Sequence, residues 1–202
     1  MSLRKPNKRI LILCEGVTEQ LYATSLRSDL PRSQQRSISV DIVKGGEQNP
    51  LHLFKEAMAK RKKAQKEKNP YDSIWLFFDH DNWPQLQEAL HKMEKEGFNL
   101  AYTALCLEHW FILHYQDCGR AFQKGEEVVG HLKKFWTNYH KTKLNHYSLL
   151  RDKLKEATER ANRINLRQQE VPGMVWPKYP YCSIPDLIAY FRSLGASLWW
   201  KG

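Results

Sequence analysis

The sequence predicts an α/β fold built on a mostly parallel sheet with helices on both faces. Three observations predict it. Apolar runs of strand length recur, at Ile10–Cys14 and again at Ile74–Phe78. Segments with helical spacing separate them. Each of these two runs ends on acidic residues, Glu15-Gly16 after the first and Asp79-His80-Asp81 after the second. Continuous apolar runs read as strands buried on both faces, and α/β proteins place their sites at the carboxyl ends of such strands.

The elements follow in order. Arg9–Cys14 is the first strand, Glu15–Glu19 a turn, and a helix runs to about Arg27 with Leu21, Tyr22 and Leu26 on one side. Pro31 to Arg36 reads as a loop. Ser37–Lys44 alternates Ile38, Val40 and Ile42 with polar residues, as a half-buried strand does. Asn49-Pro50 is a helix start, a capping side chain followed by proline. That helix shows Leu51, Phe54 and Met58 on one stripe and stops at Asn69-Pro70. Ser73–Phe78 is the third strand. Leu86, Ala89, Leu90 and Met93 mark a helix that Gly97 ends, and Asn99–Leu105 is a fourth strand. Glu108–Tyr115 is helical. Residues 1–115 thus form the core.

Residues 116–202 read as a helical elaboration packed on it. Glu126–Trp136 is one helix. Leu144–Gln168 is a longer one, with Tyr147, Leu150, Leu154, Ala157, Ala161 and Ile164 three and four apart. Residues 172–185 are a proline-rich loop. Ser183 caps a last helix, Asp186–Leu194, with Asp186 completing a capping box. The pair Trp199-Trp200 has two readings, a stacking platform for bases or a pair docked on the core or a partner, with docking favoured.

The chain has 202 residues and a formal net charge of +10. That charge attracts polyanions, nucleic acid first among them. The four cysteines are widely spaced, which disfavours a zinc knuckle or a disulfide framework, and the eight histidines read as structural or solvated. The apolar run after the basic first residues is too short for a signal peptide or a membrane span. A cytoplasmic protein with no membrane partner is expected.

The chemistry sits in the acids. Glu15 ends a strand, and Glu19 projects back toward the same rim from the first helical turn. Asp79 and Asp81 share one side of an extended chain. Hard oxygen donors in this arrangement suit Mg²⁺ or Mn²⁺, and such ions support phosphodiester hydrolysis. Glu108, just after the fourth strand, is a second-tier acid with two readings of equal weight, a site residue or a helix-dipole partner. Two basic segments are candidates for a nucleic-acid track: residues 55–68, with Lys60, Arg61, Lys62 and Lys63, and residues 131–167, with Arg160 and Arg163. Such a track requires both segments to face the same side as Glu15.

The run Ile10–Cys14 with Glu15-Gly16-Val17-Thr18-Glu19, followed by Phe77-Phe78-Asp79-His80-Asp81, resembles the Toprim metal site. The chain is most similar to the RloB-like branch of that superfamily, related to the OLD-type nucleases. Leu105–Tyr115, Tyr139-His140-Lys141 through Tyr147, and Tyr181–Leu187 resemble further stretches of the same family. The resemblance implies a Toprim-like core and a Mg²⁺- or Mn²⁺-dependent endonuclease. Glu15 is implied as general acid or base, and Glu15, Glu19, Asp79 and Asp81 as the metal set. Lys141 is implied to stabilise charge on the reacting phosphate. It also implies a bacterial phage-defence effector in an abortive-infection setting, paired with an ABC-type ATPase, and leaves DNA, tRNA or another RNA open as substrate. A non-catalytic nucleic-acid-binding or adaptor subunit of an ATPase complex is the competing reading. A phosphatase with Asp-x-Asp at its first strand fits less well, because here that pair follows the third.

Overall fold

The structure is a computed structural model that describes residues 8–46, 49–80, 83, 85–169 and 180–196. Its first half alternates strands with helices: β1 (Lys8–Cys14), α1 (Val17–Ser28) and the short α2 (Arg32–Ser37), β2 (Ile38–Lys44), α3 (Pro50–Lys66), β3 (Ser73–His80), α4 (Leu86–Lys95) and β4 (Asn99–Ala104). The strands form one parallel sheet in the order β2-β1-β3-β4. The central strand β1 is buried from Ile10 through Cys14, because helices cover both of its faces. Ile10, Ile12 and Cys14 join the core that contains Tyr22, Ala23 and Leu26 of α1. Leu11 and Leu13 join the opposite core, with Leu53 and Ala57 of α3 and Leu90 and Met93 of α4.

This order fixes where a ligand can bind. The chain winds from β1 outward to β2, then crosses back over β1 to reach β3. The winding reverses between β1 and β3, and the crevice beyond their carboxyl ends is the topological switch point. Glu15 and Asp79 stand there.

Helix α3 starts as expected, with Asn49 Oδ1 accepting from the N–H groups of Leu51 (2.8 Å) and His52 (3.2 Å). It descends away from the rim. Arg61, in its last third, pairs with Glu96 and lies 4.9 Å from the centre of the Phe98 ring, beside the start of β4.

The second half contains α5 (Glu108–Leu113), α6 (Gly125–Leu132), α7 (His146–Leu150), a 3₁₀ turn at Arg151–Lys153, α8 (Leu154–Gln169) and α9 (Ile184–Ser193). These helices share the core of α1: Trp110, Phe111, Leu150, Ala157, Leu187 and Phe191 pack in one cluster with Ile12 and Phe77. Inside it, Trp110 Nε1 donates to Tyr22 Oη at 2.9 Å. All four cysteines are buried free thiols. Among the described residues no helix is long and apolar enough to cross a membrane.

Three local expectations need correction. The Pro31–Arg36 loop is mostly the helix α2, which buries none of its residues and so shows no apolar period. The single helix Leu144–Gln168 is two helices broken at Arg151–Lys153. The apolar positions keep the same spacing through the break, so periodicity does not register it. Ser183 makes no side-chain cap on α9. Its hydroxyl instead accepts from Tyr102 N–H (3.0 Å) and donates to Leu100 C=O (3.2 Å). With the Thr103–Cys182 bridge and two bonds from Asn165 to Cys182, it covers the open edge of β4, where unpaired backbone groups otherwise invite wrong partners. Trp199 and Trp200 and residues 172–179 of the proline-rich loop lie outside the described residues.

Ser183→Ala leaves the buried Tyr102 N–H without its acceptor. Urea denaturation is expected to show a loss of about 1–3 kcal/mol with an unchanged m-value.

Candidate functional site

The parallel ladder of β1 and β3 sets the first contact. Glu15 N–H donates to Phe77 C=O at 2.9 Å, one residue past the strand. The Glu15 side chain then reaches across to β3, where Oε2 accepts from Asp79 N–H at 3.0 Å. Gly16 follows as the N-cap of α1, at φ −124° and ψ 178°, an extended conformation that any residue adopts. Its glycine is required for space. A Cβ there would stand 2.5 Å from Glu19 Oε2. Glu19, at the third helical position, folds back over Gly16 and is held by the backbone N–H groups of Glu19 itself and of Gly16, one half of a capping box.

Asp79 sits on β3 opposite Thr103 of β4, and Thr103 Oγ1 donates to its Oδ1 at 3.0 Å. Past β4, Leu105 takes φ +80°, a left-handed conformation unusual for a branched side chain. The turn brings Glu108, the first residue of α5, to the same rim. Tyr139 Oη donates to Glu108 Oε1 at 2.6 Å. Two residues on, Lys141 is tied to α1, its C=O accepting from Thr18 Oγ1 at 3.2 Å. Glu15, Gly16, Glu19, Lys44, Asp79, Trp83 and Lys141 line a cavity of about 280 Å³.

Charge dominates this cavity. Glu15, Glu19, Asp79 and Glu108 are all buried. Burial pushes the Asp79 carboxyl well above the usual aspartate range, and the charges of Glu19, Glu108 and Glu15 push it further. Glu19 is raised chiefly by burial, with Glu108 adding to the shift while the backbone N–H groups and Lys141 oppose it. For Lys141, desolvation favours the neutral amine, but Glu108, Asp79 and Glu19 outweigh it and raise its pKa above the ordinary lysine value. Lys141 is therefore a firmly charged ammonium facing a surplus of carboxylates.

The structure thus brings together Glu15, Glu19 and Asp79 of the expected metal set, the expected charge-stabilising Lys141, and the second-tier Glu108. Asp81 lies outside the described residues. Among the described residues no three His, Cys, Asp or Glu side chains close around one metal-sized point. The fit to a divalent ion is one of donor type and charge: hard carboxylate oxygens with more negative charge than Lys141 neutralises. His109 and His114 are poor ligand candidates. Burial lowers them to about 4 and about 3, and each has a ring nitrogen bonded to a backbone carbonyl.

The basic segments do not converge on this cavity. Lys60, Arg61, Lys62 and Lys63 lie on the descending part of α3, toward the opposite edge of the sheet. Arg61 is engaged with Glu96, and Lys60 pairs with Glu56. Arg160 donates to Leu113 C=O at 2.6 Å and Arg163 pairs with Asp117 at 2.9 Å, on α8 in the other helical layer. The two segments lie on opposite faces of the sheet.

Three residues of the site escape sequence reasoning. Lys44, the last residue of β2, carried a usable signal, since it ends a strand as Glu15 and Asp79 do. Thr103 acts through strand register and Trp83 by lining the cavity; neither has a local signature. Tyr139 falls in a stretch that resembles the family, but its hydrogen bond to Glu108 is a tertiary fact.

The family model for RloB-like proteins matches residues 10–191. No curated protein and no solved structure matches the chain.

Asp79→Asn keeps the acceptor for Thr103 and removes the charge. A carboxyl whose folded-state pKa exceeds the unfolded value near 3.9 contributes stability that is complete below that value. The contribution is lost as pH rises through the folded pKa, so ionised Asp79 costs stability at neutral pH. The variant is expected to melt a few degrees above wild type at pH 8 and to show no such gain near pH 4; scanning calorimetry at both pH values checks this. Gly16→Ala is expected to fold, because the clash falls on the far end of the flexible Glu19 side chain, which can swing off its backbone donors. It displaces the Glu19 carboxylate, and isothermal titration with Mn²⁺ should show weaker binding than in wild type.

Proposed function

The chain belongs to the RloB-like protein family, and from that premise we propose that it is a Mg²⁺- or Mn²⁺-dependent nuclease that hydrolyses nucleic-acid phosphodiester bonds. The observation that carries this reading is the cluster of buried carboxyl groups at the switch point of the sheet: Glu15, Glu19 and Asp79 line the cavity, and Glu108 acts on Asp79 and Glu19 from beside it. A cluster of this kind, with pKa values displaced by burial and by like charges, marks functional sites more often than structural ones.

Glu15, Glu19 and Asp79 are the residues that would hold the ion, with Asp81 added from the sequence. When bound, a divalent ion supplies Lewis-acid polarisation of a phosphoryl oxygen. The chain's own groups do the rest. Glu15, anchored through one oxygen on Asp79 N–H, has its orientation fixed for taking a proton from the attacking water. Lys141, held charged by the acids beside it, stabilises negative charge on the non-bridging phosphate oxygens. Tyr139 fixes the Glu108 carboxylate from behind. The net charge of +10 favours encounter with a polyanion. From the family resemblance the reading extends to a phage-defence effector working beside an ABC-type ATPase.

The test uses purified protein with Mn²⁺ against single-stranded and duplex DNA, RNA and tRNA. Wild type is expected to cleave at least one of them. Glu15→Gln and Asp79→Asn should each lower the rate by about 10²-fold or more without loss of folded structure. Mn²⁺ should raise the melting temperature of wild type and leave that of Asp79→Asn unchanged. Equal cleavage by the variants and wild type would refute the proposal, and salt-sensitive binding without cleavage would turn it toward an adaptor role.

A further inference from the structure

A second cavity, of about 290 Å³, adjoins the carboxylate cavity. Asn49, Pro50, Leu51, Trp83 and Gln85 line it, and Trp83 lines both. The two differ in chemistry. The first is lined by acids and by Lys44 and Lys141; among the described residues the second is lined by none that is charged. Nucleic acid has the same division, with charge on its phosphates and neutral flat rings on its bases.

We propose that the second cavity is a nucleobase subsite, in which a base next to the scissile phosphate stacks on the Trp83 indole. It rests on the nucleic-acid reading of the carboxylate cavity and extends it to the substrate's bases. The phosphate of that nucleotide lies against Lys44 and Lys141, in the cavity that the same tryptophan also lines.

Several observations support it. The cavity stands between the starts of two helices, α3 and α4. Asn49 caps α3 through Oδ1, which leaves its amide N–H₂ as a donor for the acceptor atoms on a base edge. Gln85 adds an exposed amide that both donates and accepts. The Trp83 carbonyl accepts from Leu86 N–H at 3.1 Å and ties the residue to the start of α4. Trp83 is half-buried, and its Nε1 is buried with no hydrogen-bond partner among the described residues. What the indole offers a ligand is therefore ring surface, not a directed N–H. Every base has a π-face, so such a platform binds with little regard to sequence.

The experiment measures binding by fluorescence anisotropy with Ca²⁺ present, which screens the acids. The probes are a labelled short oligothymidylate and an abasic sugar–phosphate strand of the same length. Trp83→Leu keeps an apolar side chain but no ring, and should weaken oligothymidylate binding by about 5- to 150-fold while leaving the abasic strand unaffected. Trp83→Phe should retain most of the wild-type affinity. Lys44→Ala should weaken both strands alike. Equal effects of Trp83→Leu on the two strands, or none on either, would overturn the subsite. Binding of neither strand by wild type would overturn it together with the nucleic-acid reading. A Trp83-dependent preference for the base-bearing strand in a protein that cleaves nothing would uphold the subsite and refute only the nuclease activity.

Discussion

The hydrogen bond from Asp79 N–H to the Glu15 carboxylate joins the ends of the two central strands, and the site grows outward from it. A carboxylate out of water is costly unless donors compensate it. Each acid here has a protein donor: Asp79 N–H for Glu15, backbone N–H groups for Glu19, the Thr103 hydroxyl for Asp79 and the Tyr139 hydroxyl for Glu108. Those donors fix position and leave the net charge unchanged. Burial first, and then the neighbouring acids that Lys141 offsets only in part, make Asp79 and Glu19 hold their protons more tightly than exposed acids do. A fold that tolerates this repulsion has its stability linked to whatever cation enters the cavity.

The two halves of the chain divide the work. The alternating half supplies Glu15, Glu19 and Asp79 at strand ends. Glu108 enters through the left-handed turn at Leu105, where local strain of about 1–3 kcal/mol is overcome by the packing of α5 behind it. The helical half then completes the site. Tyr139 orients Glu108, Lys141 faces the acids, and the Thr18 hydroxyl clips this segment to α1. The second half is thus part of the candidate site as well as of the core.

What the sequence revealed and what it concealed follow one physical division. Ile10–Cys14 and Ile74–Phe78 were legible as strands because a parallel strand covered on both faces must be apolar throughout. Glu15 and Asp79 were legible because an acid directly after such a run has no reason of packing to be there. Thr103 was not, since its role depends on which residue of β4 lies opposite Asp79, and register is a tertiary fact. Gly16 is visible in the sequence only as the residue after Glu15: its backbone is ordinary, and only the returning Glu19 side chain shows what a Cβ there would displace. The polar helix α2 and the break at Arg151–Lys153 were hidden because neither alters the apolar period.

The position of the basic residues changes what the net charge means. From Pro50 to Lys62 the axis of α3 runs roughly 18 Å, away from the rim and well beyond the ~8 Å Debye length of physiological salt. Charges at that distance influence the diffusional approach of a polyanion more than its seating in the cavity. Arg160 and Arg163, engaged with Leu113 and Asp117 in the other layer, brace the end of α5. Under the proposed function, seating falls instead to Lys44 and Lys141, the lysines that line the cavity itself. A basic composition and the lysines of the site are separate properties of this chain: the first concerns encounter with a polyanion, and the second, Lys44 and Lys141 beside the three acids that line the cavity, would under the proposed function hold a phosphate.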